Sequence, residues 1–149
     1  MSVVLGYDES PGARQALRVA IEVATAYDEP LVIVYGAAAP GVTGEEYGAH
    51  HEAVREAGST ALGHAVRVAE EAGVRTSVEL IDERPAQALI EAAARHGARV
   101  IVVGTWGESP VRGALLGSTP HKLLHLSSVP VLCVPAVVMS RRSGAVRGV

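Results

Sequence analysis

Val100–Ser118 reads VIVVGTWGESPVRGALLGS, and the fold follows from how this stretch is parsed. Arg99–Val103 is a continuous apolar, β-branched run, the composition expected of a parallel strand covered on both faces. Gly104, Gly107, Gly113 and Gly117 then recur where the backbone must turn sharply or approach another group closely. Ser118-Thr119-Pro120 offers a hydroxyl at the N-cap and a proline in the first turn, so a helix is predicted to begin there. Its unpaired N–H groups and positive dipole end would face the loop, an arrangement that suits a phosphate. Two common phosphate loops are excluded: no Lys follows Gly117, as a Walker loop needs, and no G-x-G-x-x-G follows any strand.

Working outward, apolar runs and helical periods alternate. Ser2–Gly6 is a first strand ended by the turn chemistry of Tyr7–Gly12. Gly12–Tyr27 places Ala13, Ala16, Leu17, Ala20, Ile21 and Ala24 at helical spacing, with Ser10 as cap and Pro11 in the first turn. Leu31–Tyr35 is a second strand, Gly36–Gly44 a loop, and Glu45–Gly73 a long helix rich in alanine. Val74–Ile81 is a third strand, Pro85–His96 a helix closed by Gly97, Thr119–Leu126 a fourth helix and Val129–Val134 a fifth strand. This alternation predicts a single-domain, doubly wound, Rossmann-like α/β fold with a five-stranded parallel sheet and helices on both faces. Ligands of such sheets sit at the carboxyl ends of the strands, where strand order reverses. The domain is expected to span 1–138, leaving 139–149 as a flexible tail.

Gly104, two residues, Gly107, nine residues, Gly117 and Ser118 together resemble the nucleotide-binding signature of the universal stress protein family, in its ATP-binding branch. The resemblance runs from Val3 to Pro135 and includes the P-A-x-A-L run at Pro85–Leu89. It implies a strand order of 3-2-1-4-5, which sets the ends of strands 1 and 4 side by side. It also implies a site for ATP, with Mg²⁺. Gly6, Tyr7 and Asp8 close the first strand, and Asp8 matches the family's adenosine-contacting carboxylate. Gly36 stands where main-chain groups face the adenine edge; glycine in place of a valine-like residue is expected to remove one wall of the base pocket. Val103 and Gly104 match the floor of the ribose, and Gly107, Gly117, Ser118 and Thr119 match phosphate-facing groups. Arg112, the one cation of the loop, is placed to meet the β- or γ-phosphate and to offset Glu108. Trp106 is assigned equally to stacking and to packing. The family further implies a homodimer through Val129–Val134, and a regulatory protein partner.

Composition bounds the alternatives. At 149 residues the chain makes one domain, and a net charge of −3 argues against a broad basic surface for nucleic acid. Phenylalanine is absent, so the core is expected to consist of small and branched aliphatics. The single cysteine, Cys133, lies in an apolar strand and fits a reducing cytoplasm; no window reaches the length of a membrane span and no leader pattern precedes the first strand.

Other candidates for chemistry are weaker. His51-Glu52 does not extend to a zinc-protease motif because Arg55 occupies the last place, and His121 and His125 lack a third ligand at suitable spacing. Ser10 has no nucleophile elbow around it and serves as a cap. Asp82 and Glu83 end the third strand, at the edge far from the crevice. The expectation is an ATP-binding, stress-response regulator without strong intrinsic catalysis. Two alternatives stay open: a slow ATP hydrolase or phosphotransferase at the same site, and a phospho-acceptor domain using Asp8-Glu9 and Asp82.

Overall fold

Strand residues alternate between two cores in the computed structural model, which describes residues 1–38, 45–105 and 116–136, with the side chains of 45–47 left aside. In β1 (Ser2–Gly6), Val3 and Leu5 enter one core and Val4 the other. The same period-two division runs through β2 (Leu31–Gly36), where Leu31 and Ile33 oppose Val32 and Val34. Both faces are apolar because both are covered. The helices α1 (Pro11–Tyr27) and α2 (Glu45–Glu71) pack over the first core. On the other face lie α3 (Pro85–His96) and α4 (Ser118–Leu126).

With β3 (Thr76–Ile81), β4 (Ala98–Gly104) and β5 (Val131–Val134), the sheet has the order β3-β2-β1-β4-β5, every pair parallel. This is the expected order. Central β1 pairs with β2 through Leu5↔Ile33 and with β4 through Leu5↔Val102, so the reversal of strand order falls between β1 and β4. Alanine dominates the helix faces that meet the sheet: Ala13, Ala16, Ala20 and Ala24 of α1 are all buried. A methyl-sized side chain brings the helix close enough for Val and Leu of the strands to fill the space that phenylalanine would otherwise occupy.

Element ends follow local chemistry. Ser10 Oγ accepts from the Ala13 N–H at 3.1 Å, and Pro11 opens α1. Gly97 closes α3 in the left-handed conformation (φ 57°), as predicted; Asp28 closes α1 with φ 53°, without a glycine. Several boundaries differ from the sequence reading, three of them with a clear local cause. Val74 belongs to the exit turn of α2, its N–H donating to the Ala69 carbonyl, so β3 starts at Thr76. Ser127 Oγ accepts from the Val129 N–H at 3.0 Å, forming a turn before Pro130, and β5 starts at Val131. At α4 the N-cap is Gly117 (φ −65°, ψ 166°), with no side-chain cap bond; Ser118 is therefore the first helical residue, not the cap.

Candidate functional site

β1 ends at Gly6, and the next four residues form the turn into α1. The Tyr7 N–H still donates to the Val34 carbonyl at 3.0 Å, which holds the turn against β2, and the ring of Tyr7 is buried. Asp8 Oδ1 accepts from the Ser10 N–H at 3.0 Å. This bond orients the carboxylate and leaves Oδ2 without a partner among the described residues. Glu9 has φ 69°, a conformation that costs a non-glycine residue energy and persists only when its surroundings hold it. Two contacts hold it: Tyr7 Oη donates to Oε1 at 2.7 Å, and His64 Nδ1 of α2 lies 2.5 Å from Oε2.

The electrostatics follow from these contacts. Burial, then the hydrogen bond and negative charge of Glu9, push the Tyr7 hydroxyl well above its ordinary range, so it remains a donor. Burial works against the ionised form of Glu9, yet Tyr7, His64 and Arg14 together outweigh it and hold the carboxyl below its usual value.

Beside this turn lies a cavity of about 450 Å³. Asp8 and Glu9 line it from the β1 turn, Tyr35 from β2, and Ala53, Glu56, Ala57, Thr60 and Ala61 from α2. The sequence reading missed Tyr35, Glu56, Thr60 and His64, and named Glu9 only in the phospho-acceptor pair. A signal was present: positions 53, 56, 57, 60, 61 and 64 form one stripe at helical spacing, facing the ends of β1 and β2. Gly58 lets α2 come this near, since a Cβ there would lie 2.6 Å from both Tyr35 Cδ1 and Leu80 Cδ1.

The other expected site residues divide. Gly6 is half-buried, and a Cβ on it would meet Leu89 Cδ1 at 2.8 Å, so its smallness serves packing against α3. Gly36 needs correction. A Cβ there would meet Pro85 Cα at 2.7 Å and the Glu83 carbonyl oxygen at 2.9 Å; backbone occupies that space, and glycine removes no pocket wall. Val103 points into the core beneath α3 and α4, with 3% exposure, so its side chain is not available to a ligand. Gly104 abuts Gly12 of α1. The Gly117 N–H donates to the Thr105 carbonyl at 2.7 Å, joining the two ends of the glycine-rich connection at the tip of β4. Because Gly117 has no side chain with which to cap α4, the Ser118 and Thr119 N–H groups receive no side-chain cap. Trp106, Gly107, Glu108, Arg112 and Gly113, and the tail 139–149, lie outside the described residues.

The remaining candidates resolve simply. Asp82 is exposed and paired with Arg55, and β2 separates its strand from β1, so it does not join Asp8 as a phospho-acceptor pair requires. His121 and His125 meet edge to face at 4.8 Å, both exposed. Among the described residues no group of three or more His, Cys, Asp and Glu is placed to hold a metal ion, and no helix is long and apolar enough to cross a membrane.

Comparison with known proteins gives a consistent result. Residues 1–135 match the universal stress protein family. A universal stress protein of Thermus aquaticus is 33% identical over 139 residues, covering 89% of this chain and 97% of that one. The solved universal stress protein UspA from Lactobacillus plantarum, at 16% identity, shares the fold with a TM-score of 0.79 over 89% of this chain and 97% of that one. A universal stress protein solved in complex with cAMP is 28% identical, with a TM-score of 0.66 over 92% of this chain and 98% of that one.

Proposed function

The chain belongs to the universal stress protein family, and from that premise we propose that it binds an adenine nucleotide, ATP with Mg²⁺, across the carboxyl ends of β1, β2 and β4, and acts as a stress-response regulator without strong catalysis of its own. The observations that carry this reading lie at the carboxyl end of the sheet, on the two sides of β1. Asp8 is oriented by the Ser10 N–H, a cavity of suitable size opens beside it, and the first turn of α4 begins on a glycine with no side-chain cap. In this reading Asp8 accepts from the nucleoside and the Ser118 and Thr119 N–H groups meet phosphate. Magnesium travels with the triphosphate, because the described residues offer no ligand set of their own. The relative bound to cAMP supports the class of ligand.

Occupancy of the site is read out at a surface. β5 is the edge of the sheet, and Leu132 on it is 38% exposed, with Leu124 and Leu126 of α4 also exposed. We assign this edge to homodimer formation, with the nucleotide altering the dimer surface or what it offers a partner. Calorimetric titration of the folded protein with ATP and magnesium tests the reading: saturable heat is expected, and its absence, together with an unshifted melting temperature, overturns it.

A further inference from the structure

We propose that His121 and His125 are a chelating pair for one divalent transition-metal ion of the zinc, nickel or copper type, on the exposed face of α4. The site stands apart from the nucleotide reading, since it lies toward the C-terminal end of the helix whose first turn faces phosphate in that reading.

Two histidines four residues apart share one face of a helix, the spacing with which helical metal sites present two imidazoles to one ion. Spacing alone does not bring two rings together. Here the rings meet, with their centres 4.8 Å apart and their planes inclined by 70°. A metal held by two imidazole nitrogens at about 2.0–2.1 Å, with an N–metal–N angle between square and tetrahedral, sets the ring centres about 4.5–5.2 Å apart. The pair therefore has the separation of a chelate before any ion arrives. Both residues are exposed, so an ion reaches them without opening the fold. His125 also stands in the last turn of α4, where the helix dipole favours positive charge.

The donor set decides which ions fit. α4 carries no carboxylate, so imidazole nitrogen is the ligand. Imidazole suits zinc, nickel and copper, whereas magnesium and calcium call for oxygen. Water fills the remaining positions, in keeping with the lack of any group of three or more ligating side chains among the described residues. Lys122, the one ammonium of α4, adjoins His121 in sequence and so lies on a different side of the helix. An ion bound to both rings clips one turn of α4 and stabilises the folded chain over the unfolded one.

The test is calorimetric titration of the tag-free protein with zinc, nickel or magnesium chloride at about pH 7.5, where ordinary imidazole is largely neutral. One zinc or nickel ion per chain is expected, with no saturable heat from magnesium. His121→Ala and His125→Ala are each expected to weaken zinc binding about tenfold or more, because the second ring no longer acts at high effective concentration. The melting temperature is expected to rise with zinc in the wild type and in neither variant. Lys122→His combined with His125→Ala keeps two histidines on α4 at adjacent positions, which do not face each other, and is expected to bind no better than His125→Ala. His50→Ala, at an exposed position on α2, leaves the affinity unchanged. Circular dichroism confirms that each variant is folded. A wild type that binds neither zinc nor nickel overturns the inference. Affinity undiminished in both single variants overturns it too, as does affinity recovered by the adjacent pair.

Discussion

Gly104 at the end of β4 lies against Gly12 at the start of α1 so closely that a Cβ on Gly104 would stand 2.7 Å from the Gly12 carbonyl carbon and 2.9 Å from its oxygen. Backbone cannot rotate aside as a long side chain can. Gly104→Ala is therefore expected to destabilise the fold by about 1–3 kcal/mol, the usual cost of overpacking. Urea unfolding measures it, and a midpoint equal to the wild type's would remove the argument.

Gly36 makes the same kind of contact with the segment that leads into α3. Because Pro85 and Glu83 backbone atoms fill the space, Gly36→Ala is expected to cost about 1–3 kcal/mol. The measurement is again the unfolding midpoint. A variant of undiminished stability would restore the idea that glycine there opens a pocket.

Asp8 is bonded to the Ser10 N–H and lies beside the cavity. Asp8→Asn is expected to weaken ATP binding by about tenfold to a hundredfold, the loss of a hydrogen bond to a charged acceptor. The melting temperature should change little, since one turn bond is altered. Unchanged affinity by calorimetry would place the nucleoside elsewhere.

Glu29 and Arg99 form a forked ion pair across 70 residues of sequence, with Nε and Nη2 of Arg99 donating at 2.6–3.0 Å, and the guanidinium also stacks 4.1 Å from the centre of the Tyr27 ring. The Arg99 hydrogen bonds hold the Glu29 carboxyl below its ordinary value. A depressed folded-state pKa means that the contribution is present above the unfolded Glu value of about 4.3 and is lost as pH falls through the folded value. Glu29→Gln should accordingly melt below the wild type at neutral pH, with the difference closing in acid. A difference that stays constant from neutral to acid pH would refute the assignment.

Leu132 on the β5 edge is the position from which to test assembly. Sedimentation at micromolar concentration is expected to show a dimer for the wild type and a monomer for Leu132→Glu, because a charge on an exposed edge opposes strand pairing. A wild type that sediments only as a monomer contradicts the proposed interface.

Much of the architecture was legible along the chain because its causes are local. The β-branched runs at Ser2–Gly6 and Leu31–Tyr35, the Ser10 cap, the helical period of α1 and the terminal Gly97 each act within a few residues. Boundaries slipped where a local signal had two solutions. Ser118 has a capping hydroxyl, but the Gly117 N–H is drawn to the Thr105 carbonyl, and the helix starts one residue earlier than the cap assignment requires. Of the candidate site, Asp8 and the start of α4 were legible, each adjacent to a strand or turn signal. On α2 it was not, since its stripe of alanines and polar residues reads equally well as a solvated helix face until the helix is seen to pass over Tyr35.

By itself, then, the sequence determined the alternation of strands and helices, the burial of both sheet faces and the placing of an acidic turn and a glycine-led helix at the same end of the sheet. Those outcomes depend on periodicity and capping, which act between near neighbours. Only the tertiary structure decided that Gly36 and Gly104 are small to admit backbone rather than ligand, and that Glu9 is braced by a histidine 55 residues away. It also decided that α2 lines the cavity. Each of these is a close approach between segments distant in the chain, set by how far a helix can descend onto the sheet, and no run of neighbouring residues encodes that distance.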